Sequence, residues 1–449
     1  MSIKSQFPGK KSNKILKEFC KYTSAGKKPF VIDLEKCHDS FLVTVDGQEI
    51  LDFENHYASK LIAYNHPGLY EPEYLKKLLF AANNKTANPD HVTTELVEYY
   101  KLLHEIAPKC MKKEGNIDIM CFNSGAEAVE NAMKYCVALW YEKHENNQLS
   151  SLVKPCFISF DKAFHGRSVY TLSVTDMPHN PTATEPYHGL VAENIRLPFP
   201  ACDFDNGDEW SAHRHSNDEL IHVCLSNIEK ELQKNSAKIA GIITEPMLGA
   251  GGHNVSKPYF FSKLSELAYK YNVPLIFDEV QTAGGNTGTF FMCDSFNLPF
   301  APTVVCSAKK MATGVVYFLN PLKKSGILDS TWSGSLVDMV RFVQEMKIVK
   351  REKLIEQVPK KSEYLYQKLE DLYFNYGYTF NARGVGLYQG FSVMNREVRN
   401  KITECALQEQ NLLLMWAGTD SIRLRPNLNV SFEEIDLFAE KMAKVLEKI

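Results

Sequence analysis

In the stretch TVVCSAKKMATG, from Thr303 to Gly314, two adjacent lysines, Lys309 and Lys310, follow an apolar β-branched run. Lysine is seldom fully buried unless it is paired or reacting, and a desolvated lysine amine is a good nucleophile toward carbonyl carbon. A second apolar run, PLIFDEV, carries Asp278 and Glu279 near its end. An acid there either caps the loop beyond a strand or meets a cation, because a buried unpaired carboxylate is costly. In MCFNSGAEAVENAMKYCVALW, Ser124 and Glu127 have the spacing of a capping box. That stretch reads as a well-capped helix or as an anion site. Gly125 lets a ligand approach the backbone, and a helix start offers free N–H groups at the positive end of the dipole. In ISFDKAFHGRSVYTLS, Phe164, His165 and Arg167 fall within four residues. They form either a surface loop or a grip for a planar anion, by ring stacking and a guanidinium.

Each stretch begins in a short apolar run that reads as a buried strand: IDIMCF, CFISF, PLIFDEV and TVVCSA, with IAGIITE as a fifth. Runs apolar on both faces suit a parallel sheet covered by helices. YFFSKLSELAYKY, between IAGIITE and PLIFDEV, has the pattern of a crossover helix. Ligands of such sheets gather at the carboxyl ends of the strands, which is where the candidate residues fall. The expected fold class is α/β, with residues 76–325 as a large domain. Residues 326–449 read as a smaller α+β domain, in which helical patterns give way to GVGLYQGFSV and then to the amphipathic SFEEIDLFAEKMAKVLEKI. The N-terminal segment, residues 1–75, has the strand pattern FLVTVDGQEILDF and is expected to pack on the smaller domain. The turn TAGGNTG is not G-x-G-x-x-G and opens no evident helix, so a dinucleotide site is not expected.

Composition narrows the partners. The chain is 44% apolar and 23% charged, with a net charge of −3, which gives no electrostatic case for nucleic acid or an anionic membrane. No apolar run is long enough to cross a bilayer. The N-terminal MSIKSQFPGKKSNKILKEFCKY lacks the apolar core of a secretory signal and the arginines of a transit peptide. The 11 cysteines include no C-x-x-C pair, which fits reduced thiols. A cytoplasmic chain is expected, with mitochondrial import the less favoured alternative. HRH, at His213 to His215 with His222 beyond, stands in the polar WSAHRHSNDEL, so no metal site is expected.

Together the strand ends would bring an anion cradle, a buried acid, an aromatic ring with an arginine, and a lysine to one edge. A planar, phosphate-bearing heterocyclic aldehyde needs this set. Pyridoxal phosphate (PLP) is such a cofactor: a lysine forms a Schiff base with it, and an acid keeps its ring nitrogen protonated. The chain also resembles, over nearly its whole length, the class III PLP-dependent aminotransferases of fold type I. Among these it resembles the L-lysine 6-aminotransferases first and the 4-aminobutyrate aminotransferases next. The resemblance rests on SGAEAVENAMK, AFHGRS, EPMLGAGG, FDEVQTAGGNTG, STWSG and DSIRLRPNLNV, in this order.

The resemblance implies Lys309 as the Schiff-base residue, directly after Ser307 and Ala308, with Lys310 a structural neighbour. It implies Asp278 at the ring nitrogen, Val280 and Phe164 on the two ring faces, and Gln281 at the ring hydroxyl. The amides of Gly125 and Ala126 would hold the phosphate. Thr331 would reach that phosphate from a second subunit, so a homodimer with sites at its interface is implied. Arg167 would grip the distal carboxylate of the substrate, and Arg423 the α-carboxylate of glutamate or 2-oxoglutarate. The implied reaction moves an ω-amino group from an amino acid such as L-lysine to 2-oxoglutarate, giving a semialdehyde and L-glutamate by ping-pong kinetics.

The chain departs from the family pattern at Ala250. There the relatives carry a second glutamate, expected to mask the C-terminal arginine when an ω-amino donor is bound. Leu248, His253 and Ala63 replace the usual Gln, Asp and Gly. A weakened ω-amino half-reaction is expected, unless another acid takes over the masking. Two further readings stay open from sequence: a binding or scaffold protein that keeps the fold without turnover, and decarboxylase or racemase chemistry on the same cofactor.

Overall fold

The computed structural model describes residues 7–26, 28–145, 153–187, 190, 193–202 and 218–449. The HRH stretch considered for metal binding lies outside the described residues. The central sheet has seven strands: β1 Asp118–Phe122, β2 Cys156–Phe160, β3 Ile195–Leu197, β4 Ile239–Thr244, β5 Leu275–Asp278, β6 Val304–Ser307 and β7 Gly314–Phe318. Their order across the sheet is β1-β7-β6-β5-β4-β2-β3. The neighbours from β6 to β3 all run parallel. β7 alone runs antiparallel to both of its neighbours, so the carboxyl ends of β1, β2, β5 and β6 share one edge. This is the mostly parallel α/β sheet expected.

All five apolar runs are strands, and β2, β4, β5 and β6 are buried along their whole length. Successive side chains face opposite layers. Ile276 and Cys306 pack beneath the helix Gly125–Lys143 with Val129, Met133 and Trp140. Phe277 and Val305 pack on the other side with Phe260, Phe261 and Tyr317. The crossover helix expected between β4 and β5 is Pro258–Lys270, with proline in its first turn, where its missing N–H costs nothing.

The N-terminal hairpin Phe41–Val43 and Glu49–Asp52 is extended by Leu412–Leu413, which pairs in parallel with Glu49–Asp52. A separate antiparallel sheet is ordered Thr379–Val385, Tyr388–Val393, Ser421–Leu424, Met415–Ala417. The closing helix Phe432–Leu446 starts in a complete Ser431–Glu434 capping box, and its Phe438 ring stacks on Phe53 at 4.6 Å. Among the described residues no helix is long and apolar enough to cross a membrane.

Candidate active site

After β6 the chain enters a single 3₁₀ turn, Lys309–Met311, with Lys309 at φ 52°. That left-handed value is uncommon for a side chain with a Cβ and clusters at functional sites. It sends the two lysines apart. Lys309 is half-buried, and its Nζ donates to the Tyr57 carbonyl at 2.8 Å. Burial, reinforced by the nearby Arg423 and Arg425, brings its pKa down to about 7. Lys310 is buried. Its Nζ donates to the carbonyls of Gln281 (2.9 Å) and Ala58 (3.2 Å) and shares a hydrogen bond with the Tyr388 hydroxyl at 2.5 Å. The loop TAGGNTG wraps its stem. Gly284 sits at φ 111°, and a Cβ there would lie 2.5 Å from Lys310 Cε. Gly284 therefore serves close packing, as does Gly285, where a Cβ would lie 2.6 Å from Ile355.

Asp278 closes β5 and is paired in register with Cys306 of β6. Its Oδ2 lies 2.8 Å from His165 Nδ1, and its Oδ1 accepts from the Val280 amide at 3.0 Å. Glu279, the second acid, is spent on structure: it accepts from the Thr282 hydroxyl (2.5 Å), the Cys293 amide (2.7 Å) and the Met292 amide (3.0 Å). Glu245 also faces this site. Its two oxygens accept from the amides of Phe164 (2.8 Å) and Gly249 (3.2 Å), and burial raises its pKa to about 7.

At the start of the helix Gly125–Lys143, Ser124 Oγ accepts from the Glu127 amide at 3.2 Å. The Glu127 carboxylate reaches the Asn123 amide (2.9 Å) and side chain (2.8 Å) instead of Ser124, so only half of the expected capping box forms. The amides of Gly125 and Ala126 have no acceptor among the described residues. A Cβ on Gly125 would lie 2.8 Å from Val280 Cγ1, which puts the helix start against the residue that follows Asp278 and Glu279.

Arg423 lies on the strand Ser421–Leu424 and Arg425 just beyond it; both are buried. They converge on one atom: Gln281 Oε1 accepts from Arg423 at 3.2 Å and from Arg425 at 3.0 Å. Gly249 makes room for that amide, since a Cβ there would stand 1.8 Å from Gln281 Oε1. Arg425 also reaches His253 Nδ1 at 2.9 Å and lies over the Tyr388 ring. Burial lowers Arg423 to about 10 and Arg425 to about 9. His253, at the position where the resemblance implied an acid, is held neutral by burial and then by Arg425, its pKa well below the ordinary value.

Lys309, Asp278, Val280, Gln281, Gly125, half-buried Phe164 and Arg423 thus meet around one edge of the sheet. Arg167 and Thr331 are exposed. The segment around Thr331 is tied to its own chain. Asn123 donates to Ser330 Oγ at 2.7 Å and accepts from the Gly334 amide at 3.1 Å. Sequence reasoning gave no role to Glu245, to Arg425 or to the contact of His165 with Asp278. Arg425 carried a signal, since alternate residues of a strand share a face and RLRP alternates arginines.

The family model for aminotransferase class III matches residues 22–446. A probable mitochondrial 4-aminobutyrate aminotransferase of Caenorhabditis elegans is 27% identical over 469 residues, covering 99% of this chain and 94% of its own length. An L-lysine-epsilon aminotransferase of Mycobacterium tuberculosis is 29% identical over 418 residues, with 90% and 89% covered. The solved lysine aminotransferase of M. tuberculosis superposes with a TM-score of 0.86 at 27% identity, covering 97% of this chain and 99% of that one. The ornithine aminotransferase of Toxoplasma gondii, 19% identical with a TM-score of 0.79, shares the fold. The fold is therefore that of the fold type I PLP-dependent transferases. The chain belongs to the class III aminotransferases, and its reaction is the transfer of an amino group.

Proposed function

We propose that this aminotransferase works with PLP and moves the ω-amino group of an amino acid such as L-lysine to 2-oxoglutarate, giving a semialdehyde and L-glutamate. The observation that carries the reading is the convergence of Lys309, its pKa brought to about 7, with buried Asp278 and the amides of Gly125 and Ala126, which have no acceptor among the described residues. These residues fit the cofactor. The two helix amides offer N–H groups to a phosphate. Asp278 offers a carboxylate to a protonated ring nitrogen, and Val280 and Phe164 offer apolar faces to a ring. When bound, PLP supplies an aldehyde for the donor nitrogen and a ring that takes up electrons from the deprotonated carbon.

The protein's own part is proton handling and orientation. The Lys309 amine, its pKa brought down to about 7, takes the proton from the carbon that bears the amine and returns it on the other side. Asp278, held by His165, keeps the ring nitrogen protonated. Arg423 pairs with the α-carboxylate of glutamate or 2-oxoglutarate, and Arg167 with a distal carboxylate. The Gln281 amide oxygen is occupied by Arg423 and Arg425, which leaves its N–H groups for a ring hydroxyl.

We also propose a homodimer in which Thr331 reaches the partner's phosphate site. Support comes from exposed Trp332, beside Thr331, which lines one hollow with Ala81 and Ala82, and from Leu79 and Phe80, exposed on the preceding part of the helix that carries those alanines. Exposed apolar residues of this kind suit cover by a second copy. Residues 76–325 form the proposed large domain. Residues 1–75 join 326–449, as the pairing of Glu49–Asp52 with Leu412–Leu413 supports. A cytoplasmic location is consistent with all 11 cysteines being free.

The test is a panel of amino donors assayed with 2-oxoglutarate, reading glutamate and aldehyde. L-Lysine is expected to lead. 4-Aminobutyrate is the second reading, favoured by the likeness to 4-aminobutyrate aminotransferases over 99% of the chain. If only α-amino donors react, the ω-amino assignment is wrong.

A further inference from the structure

Arg423 and Arg425 are two buried guanidiniums with no carboxylate among their hydrogen-bond partners in the described residues; they share Gln281 Oε1. The Nε of each is buried and unpartnered among the described residues. A buried cation left this way is costly, and residue 250, beside the Gly249 that abuts Gln281, is alanine. The acids that act most on the Arg423 charge are Glu245 and Glu54. Glu245 has the larger influence, but both of its oxygens are fixed by backbone amides. The second is Glu54.

We infer that Glu54 is the mobile counter-charge of Arg423, and that it sets the balance between ω-amino donors and dicarboxylates. The inference rests on the reaction proposed above. The backbone puts Glu54 in place: the Phe53 carbonyl accepts from the Arg425 amide at 2.8 Å, and Glu54 is the next residue. Beyond it, Asn55, His56, Tyr57 and Ala58 form a left-handed turn with φ values of 56°, 49°, 58° and 64°. The Tyr57 carbonyl of that turn takes the Lys309 amine. Such a run is strained for residues with a Cβ and needs support from its surroundings. Asp52 supplies it, accepting from the amides of Glu54 (2.9 Å) and Asn55 (2.7 Å) and from the Tyr64 hydroxyl (2.6 Å). The Glu54 backbone is therefore pinned between the arginine strand and the lysine, while its half-buried carboxylate accepts no hydrogen bond among the described residues. Burial and then Asp52 raise its pKa to about 7, with Arg423 pulling the other way. A carboxyl poised there gains charge when it meets the guanidinium and gives it up at little cost.

An ω-amino donor brings no carboxylate to Arg423, and Glu54 pairs with the guanidinium in its place. Glutamate or 2-oxoglutarate brings an α-carboxylate that pairs bidentately and displaces Glu54. Glu54 acts through Arg423 and touches no reacting atom.

The experiment uses the cofactor-loaded protein and Glu54→Gln, a near-isosteric change. Single-turnover rates are measured with L-lysine, 4-aminobutyrate and L-glutamate, and glutarate, an unreactive five-carbon dicarboxylate, is titrated by calorimetry. The ω-amino half-reaction should slow by roughly ten- to a hundredfold, the effect of leaving a buried charge unmet. The glutamate half-reaction should hold or quicken, and glutarate should bind more tightly because its competitor is gone. Adding Ala250→Glu to Glu54→Gln should restore the ω-amino rate. Equal slowing of both half-reactions, or unchanged glutarate affinity, overturns the role of Glu54. If no ω-amino donor reacts even with the unaltered protein, the donor class proposed above fails, and the glutarate titration still decides on Glu54.

Discussion

Asp278 and His165 stand 113 residues apart in the chain and 2.8 Å apart in space, both buried. The imidazole holds the carboxylate at the end of β5 while its Nε2 stays unpartnered among the described residues.

Asp278→Asn keeps the shape and removes the charge that would hold a proton on the ring nitrogen. Turnover should fall by at least about a hundredfold, equivalent to roughly 2.7 kcal/mol of barrier. His165→Gln, which loosens the acid without removing it, should cost less. Steady-state rates on purified protein check both, and near-unaltered turnover in Asp278→Asn would take this residue out of the mechanism.

The two lysines separate by chemistry. Borohydride reduction of the PLP-loaded protein followed by peptide mapping should place the pyridoxyl label on Lys309, and Lys309→Ala should abolish it. Lys310→Met should keep the label and lose stability. It would strand the Ala58 and Gln281 carbonyls and the Tyr388 hydroxyl, and a buried group left unmet costs about 1–3 kcal/mol. Denaturant unfolding reads that loss. A label found on Lys310 would reverse the assignment.

Much of this was legible in the sequence, for a physical reason. Strands buried on both faces must be apolar throughout, so β2, β4, β5 and β6 stood out. β1, half-buried over its first three residues, stood out by its apolar run alone. The polar residues at the strand ends marked the edge where ligands collect. β3 did not stand out, being three half-buried residues with Arg196 in the middle. β7 is fully buried, but no local pattern says that it runs antiparallel. The His165–Asp278 contact, the clasp of Lys310 by Tyr388 and the place of Glu54 beside Arg425 join segments far apart in the chain, so spacing alone carries no trace of them. The left-handed turn at Asn55–Ala58 was equally hidden, because none of its residues is glycine.

If Thr331 completes the partner's site, cofactor retention must follow association. Apparent PLP affinity should weaken on dilution through the dimer dissociation range, as for any site assembled from two chains. Trp332→Asp, in the exposed apolar surface, should shift the equilibrium toward monomer and release cofactor together with it. Sedimentation velocity and the bound PLP fraction, measured on the same samples, check this. A monomer that stays fully loaded and active would refute the shared site.

The last prediction concerns Lys309 as a free amine. Its pKa is lowered from 10.5 to about 7, first by burial and then by the charges of Arg423 and Arg425. In cofactor-free protein the neutral amine should therefore predominate above about pH 7, where an ordinary lysine is still protonated. Acylation of Lys309, followed by mass spectrometry across pH, should reach half its maximal rate near that point. Arg423→Met removes a neighbouring positive charge and favours the protonated form, so the midpoint should move upward. The same shift bears on stability. The unfolded chain holds this proton more tightly than the folded one, so the destabilisation from Lys309 is full below about pH 7 and fades toward pH 10.5. A midpoint near 10.5 in the unaltered protein, or one that Arg423→Met leaves in place, would mean that the two arginines do not tune this amine.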